Sequence, residues 1–306
     1  MTDTAVSPDL ISQPTEFRES EWQLQSIRLA GITWGGLSGI SPKAPVLMVH
    51  GWLDNSLTFI KLAPELARST AVTAIDLAGH GKSGHRPAGQ SYLLMDYVAD
   101  LAELVEAHLL SGEVAQVDLV GHSLGGIVCA LYAAAFPERV RKLVMIDSLG
   151  AMSRPVDQTI PQLRRAIQKR LSGSGRHTVY PDVQTAAKAR EGGLSPLSPE
   201  AALTLTPRNM KPVQGGFIWR TDSRLRHPTP LMMSEEQVQA SLQAIATPTL
   251  FVRAEAGLLA NHGGLDRRAD AIKDLEVVNV PGGHHCHLDG NTRPVTEAIR
   301  HFLHDD

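Results

Sequence analysis

The chain has 306 residues, 42% hydrophobic and 20% charged, which suits one large α/β domain carrying an insertion. A net charge of -3 argues against a general nucleic-acid binder, which carries a basic excess. Two cysteines, Cys129 and Cys286, cannot build a disulfide framework, nothing reaches the ~18 apolar residues of a membrane helix, and the polar N-terminus lacks a signal-peptide core; a soluble cytoplasmic protein with no nucleic-acid or membrane partner is expected.

Residues 1–21 show no periodicity and are expected to form a loose arm. Trp22 to Ala30 alternates apolar and polar residues, and Gly31 to Leu37 continues in the same style after a glycine turn, which predicts an antiparallel edge hairpin. Pro45 to His50 is a continuous apolar run of the kind buried on both faces of a sheet, and Ala71–Ile75, Val117–Val120, Leu143–Ile146, Thr249–Val252 and Val277–Val280 repeat it. Helical patterns fill the intervals at Leu57–Arg68, Tyr92–Leu110, Leu124–Phe136 and Thr292–Leu303. Such alternation predicts a mostly parallel sheet with helices on both faces and a ligand site at the carboxyl ends of the strands.

Between residues 150 and 245 the alternation stops. Short helical stretches at Pro161–Leu171, Val183–Arg190, Pro199–Leu205 and Glu235–Ile245 are broken by prolines and glycines, so a helical cap is expected, with 22–149 and 246–306 as the core. Residues 150–230 hold thirteen basic against five acidic side chains. That excess would steer anions, although a solvated helical face explains it more simply.

Gly121-His122-Ser123-Leu124-Gly125 lies between a predicted strand and a predicted helix. The tight strand-to-helix turn presents Ser123 as a nucleophile, with glycines where Cβ atoms would crowd it. A serine N-cap in a glycine-rich turn is the plainer alternative. A serine that attacks a carbonyl needs two amide donors for the oxyanion. Leu124 N–H is one, and Trp52 N–H, in His50-Gly51-Trp52 after the strand at 46–49, is the other. The base comes from His284-His285-Cys286-His287, which follows the last strand and Gly282-Gly283. His284 follows the glycine directly and is the first candidate, His285 is the alternative, and His287 is read as packing or capping. A metal site is not expected there, because neighbouring side chains in an extended segment diverge. Two carboxylates follow strands and qualify as the acid, Asp147 and Glu255. Gly79 to Gly84 matches a dinucleotide-binding glycine pattern, but His85-Arg86-Pro87 follows where that site needs a helix.

Taken together, His50 to Asp54, Asp76 to Ser83, Gly121 to Gly126 and Gly283 to Leu288 resemble the α/β-hydrolase superfamily, in its serine hydrolase-like group related to haloalkane dehalogenases and epoxide hydrolases. The resemblance implies an α/β-hydrolase fold, His284 as base, and an acid that in many relatives follows the penultimate strand in a Gly-x-x-Asp pattern. This chain has Ala254-Glu255-Ala256-Gly257 there, so the resemblance favours Asp147, the position used by dehalogenase-like relatives. Those relatives use an aspartate nucleophile, which Ser123 replaces, and Leu124 stands at their halide-binding tryptophan. The expected function is cleavage of a carboxylic ester or related acyl bond in a small-molecule substrate, without metal or organic cofactor. A lactonase or C–C bond hydrolase is the nearest alternative, and a non-catalytic ligand-binding protein is the alternative of another class.

Overall fold

The computed structural model describes residues 17–35, 44–110, 114–175 and 177–304. Phe17–Gln23 (β1) and Arg28–Trp34 (β2) pair antiparallel. The predicted hairpin is therefore present, but it turns at Leu24–Ile27, where Leu24 N–H donates to Ile27 C=O, and not at Gly31. Gly31 lies inside β2, where a side chain would run into the Ala74 backbone of the neighbouring strand; the glycine marks a close approach. Residues 17–21, expected in the arm, form most of β1, because the strand starts as soon as β2 offers it a partner. Residues 1–16 of that arm, and 36–37 of the second expected segment, lie outside the described residues.

Val46–Val49 (β3) is followed by a short 3-10 turn at Ser56–Phe59 and a single helical turn, Ala63–Leu66 (α1). The predicted helix 57–68 is thus split, and Pro64, which has no N–H to donate, stands where helix restarts. Next come Val72–Asp76 (β4), Leu94–Leu104 (α2, widening into a π turn at Val105–Leu109), Val117–His122 (β5), Leu124–Ala135 (α3) and Val140–Ile146 (β6). The inserted segment holds Thr159–Ser172 (α4), Val183–Arg190 (α5), Pro199–Asn209 (α6), Met210–Val213 (β7) and Gly216–Trp219 (β8). Glu235–Gln243 (α7), Thr249–Ala256 (β9), Leu265–Ala269 (α8), Leu275–Gly283 (β10) and Arg293–His304 (α9) complete the chain.

Eight strands form one sheet in the order β1-β2-β4-β3-β5-β6-β9-β10. β1, β2 and β4 pair antiparallel in succession and every later pairing is parallel, as the continuous apolar runs predict. Apolar side chains from the two faces join two helical layers, one around α2 and α3 and one around α1 and α9. Besides its helices the inserted segment includes a β7–β8 hairpin, turned through Gln214-Gly215, and Val238 and Leu242 of α7 pack in the cluster of Leu149 and Phe251. A helix next to a sheet buries its apolar stripe there, whatever its place in the chain.

Buried polar bonds fasten the inserted segment to the sheet. Arg208 of α6, 5% exposed, aims Nε at both oxygens of Asp76, which is fully buried at the end of β4 and also accepts the Ser56 and Lys82 amides. Its NH1 reaches Glu19 of β1. Removing one member of a buried charge pair strands the other. Arg208→Ala should therefore cost about 3 kcal/mol in urea unfolding, and a loss within experimental error would show that Asp76 is held by its backbone donors alone.

Candidate active site

β5 delivers Ser123 on a strained turn. Its φ of 51° and ψ of -116° lie outside the regions that L-residues favour, and such strain persists only where the surroundings over-determine it. Here they do. Ser123 N–H donates to Ile146 C=O at the end of β6, while Ser123 C=O accepts from Ile127 N–H and from Ser148 Oγ at 2.8 Å. Leu124 opens α3, so its amide has no intrahelical acceptor and sits at the positive end of the helix dipole.

The loop after β3 is ordered from beneath by His50. Leu77 N–H donates to His50 Nε2, so the proton resides on Nδ1, which donates to Gly51 C=O at 2.6 Å. That carbonyl also accepts from Asp54 N–H. In a trans peptide C=O and N–H point opposite ways, so two donors on the Gly51 carbonyl turn Trp52 N–H away from His50. Gly51 itself approaches the elbow closely: a Cβ there would stand 3.2 Å from Ser123 Cβ. The Trp52 side chain is directed elsewhere and donates Nε1–H to Leu225 C=O of the inserted segment.

His284 directly follows β10, and its Nδ1–H donates to Asp147 Oδ2 at 2.6 Å. This hydrogen bond leaves Nε2 as the ring's basic atom. Asp147, 2% exposed, directly follows β6 and has a positive φ of 41°. Its own N–H donates to Val252 C=O, and Leu258 N–H donates to its Oδ2 at 2.9 Å. Glu255 is exposed near the end of β9 and does not share in this arrangement. The structure also explains the glycine at 257: a Cβ on Gly257 would collide with the Asp147 carboxylate. Of the two carboxylates left open by the sequence, Asp147 is the one that meets a histidine.

His285 faces another way. Its Nε2–H donates to Asp54 Oδ2 at 2.8 Å, and Asp54 Oδ1 takes an ion pair from Arg190 of α5 at 2.9 Å. Burial alone would raise the Asp54 pKa, but His285 and Arg190 overcome it and hold the carboxyl well below the usual range. His122 lies between the two histidines, with ring centroids 4.5 and 4.9 Å from theirs, and donates Nε2–H to His284 C=O. This contact seats His284 beside the residue that precedes Ser123. His287 is fully buried, bonded to Thr58 Oγ1 and packed on Phe59, as a packing residue should be. Asp54, Arg190 and His122 were not singled out from sequence, although the first and last lie inside recognised blocks. Asp54, His122 and His285 are also the described group whose ligand atoms lie close enough, within 4.8 Å, to hold a metal ion. Asp54 already spends one oxygen on Arg190 and the other on His285, and this pairing accounts for the cluster.

Burial keeps His50, His80, His122 and His287 neutral. It pushes His50 down to about 4 and, helped by neighbouring imidazoles, His80 to about 3, and with the same help holds His122 and His287 well below the ordinary value.

Residues 44–291 match the α/β hydrolase fold family. The chain is similar to a serine hydrolase-like protein of Danio rerio, 32% identical over 287 residues, covering 90% of this chain and 85% of that one. It is 29% identical over 259 residues to a 2-(acetamidomethylene)succinate hydrolase of Mesorhizobium japonicum, covering 84% of this chain and 87% of that one. The solved structure of a hypothetical protein from Pseudomonas aeruginosa PAO1 superposes with a TM-score of 0.86 at 36% identity, covering 94% of this chain and 99% of that one.

The histidines set an acid limit on stability. An unfolded chain protonates them near pH 6.5, whereas the native state does not protonate His50 until about 4 or His80 until about 3. More protons bind the unfolded state in this window, so stability falls as pH drops through it, by about 1.4 kcal/mol per pH unit for each such group. Asp100 and Asp118, raised by burial to about 6, act in the opposite direction and offset part of the loss. Urea unfolding at about pH 7, 6 and 5, one unit apart, should show decreasing stability. A flat or rising profile would show that burial of His50 and His80 does not set the acid limit.

Proposed function

The chain belongs to the α/β hydrolase fold family and is a hydrolase, and from that premise we propose that it is a serine hydrolase cleaving a carboxylic ester or related acyl bond through an acyl-enzyme. The observation that carries this reading is the buried Asp147–His284 pair, assembled beside the strained Ser123 turn in a space that Gly257 leaves open.

In this mechanism Ser123 Oγ attacks the substrate carbonyl carbon while His284 Nε2 takes the hydroxyl proton. The carbonyl π pair moves to oxygen, and the Trp52 and Leu124 amides stabilise that charge. Asp147 stays ionised, holding the Nδ1–H tautomer and stabilising the imidazolium. When the tetrahedral intermediate collapses, Nε2–H protonates the leaving group and an ester on Ser123 remains. Water then repeats the sequence: His284 takes its proton, the bond to Ser123 Oγ breaks, and the serine hydroxyl is restored with release of the acid. No metal or organic cofactor enters these steps. A serine cannot form the carboxylate ester through which dehalogenase-like relatives work, so that chemistry is not proposed.

The similarity to a 2-(acetamidomethylene)succinate hydrolase favours one second reading, an acyl–nitrogen bond in a substrate bearing carboxylates. The basic excess of the cap is compatible with it. A substrate panel of esters graded in chain length, lactones, vinylogous diketones and N-acyl enamines separates these bonds.

A fluorophosphonate probe should label the wild-type protein and leave Ser123→Ala unlabelled; folded wild type that resists labelling would point to a non-catalytic binding protein. Asp147→Asn should lower kcat on the best ester by about three to four orders of magnitude, with Glu255→Gln close to wild type. The reverse pattern would overturn the acid assignment. Gly257→Ala should reproduce much of the Asp147→Asn defect by displacing the carboxylate, and full activity in that variant would show that Asp147 need not stay where it is.

A further inference from the structure

Helix α4 has two faces that a single packed helix does not need. Gln162 and Ala166 are its buried residues, and Gln162 Nε2–H ties it to Thr229 C=O. At 3.6 residues per turn, Ile160, Leu163, Ile167 and Leu171 fall within about 80° of the circumference, centred about 120° from that buried face. These four are 69%, 38%, 48% and 82% exposed, and Val156, in the turn leading into the helix, is 71% exposed. Isolated exposed leucines need no explanation, but a full helical stripe does. Arg170 and Arg164 border the stripe, each about 20° beyond its edge.

We propose that α4 is a peripheral docking helix that lies flat on an anionic lipid surface, its aliphatic stripe entering the acyl boundary and Arg164 and Arg170 meeting the headgroups. This proposal departs from the sequence expectation of no membrane partner, which rests on the lack of a spanning segment, and it is independent of the chemistry assigned to Ser123. Charge identifies the occupant. The helix carries four cations, Arg164, Arg165, Lys169 and Arg170, and no acidic residue within an inserted segment of strong basic excess. A two-fold contact between copies would bring those cations face to face, since an isologous interface meets itself. A protein partner is usually anchored by aromatic side chains in pockets, whereas this stripe is aliphatic, exposed and continuous along three turns. An amphipathic helix with a basic border is the arrangement that anionic bilayers bind.

The test is sedimentation of the full chain with vesicles of phosphatidylcholine alone and of phosphatidylcholine mixed with phosphatidylglycerol, together with its mass in solution. Binding should require phosphatidylglycerol and weaken as salt is added. Ile167→Asp with Leu171→Asp, and separately Arg164→Ala with Arg170→Ala, should each lower partitioning by about tenfold or more. Both pairs are exposed, so thermal unfolding should match wild type and shows that the variants are folded. Absence of binding, equal binding to neutral vesicles, or binding unaffected by the substitutions would overturn the proposal. So would a dimer that the Asp variants dissociate, which would assign the stripe to a second copy.

Discussion

The hydrogen bond from His284 to Asp147 is the constraint around which the carboxyl end of the sheet is built. It joins the ends of β6 and β10, two strands separated in the sheet by β9. To let the side chains meet across that gap, Asp147 takes a positive φ, Leu258 turns its amide inward, and position 257 carries no side chain. The same end of β6 receives Ser123 N–H at Ile146. The Ser123 turn and the Asp147 carboxylate are therefore set by consecutive residues at the end of β6, and a shift in that strand would move both.

Around this centre the polar groups are arranged so that the charges buried there have partners. Asp54 has Arg190 and His285, while Asp76 has Arg208 and two backbone amides. Both carboxylates lie near the strand ends and both arginines in the inserted segment, so that segment is located by ion pairs as well as by the apolar contact of Leu288 with α5 and α6. The histidines in this region divide by partner. His284 and His285 each donate to a carboxylate, whereas burial holds His50 and His122 neutral. Neutral His50 is able to both accept from Leu77 and donate to Gly51, which a protonated ring could not do.

Much of this was legible in the chain because glycine and strand punctuation carry geometry. The apolar runs ending in Gly51, Gly121-His122 and Gly282-Gly283 located three ends of the parallel sheet and the residues presented there. The hairpin turn was misplaced because Gly31 has two meanings in sequence, a turn or a close backbone approach, and only the neighbour at Ala74 distinguishes them. The break at Pro64 is hidden within the helical pattern of 57–68, because the apolar spacing is correct on both sides of it. That α7 packs Val238 and Leu242 against the cluster of Leu149 and Phe251 is not legible either, because position along the chain says nothing about where a helix buries its stripe. The Asp54–Arg190 pair was not legible at all: its members lie 136 residues apart, and no local pattern announces a long-range ion pair.

A side chain at 257 and the Asp147 carboxylate would fill one volume, although the two residues lie far apart in the chain. Enlarging 257 overfills that space, and removing the carboxylate leaves His284 Nδ1–H without its acceptor. The two positions are therefore coupled, and the effect of a substitution at one depends on what stands at the other.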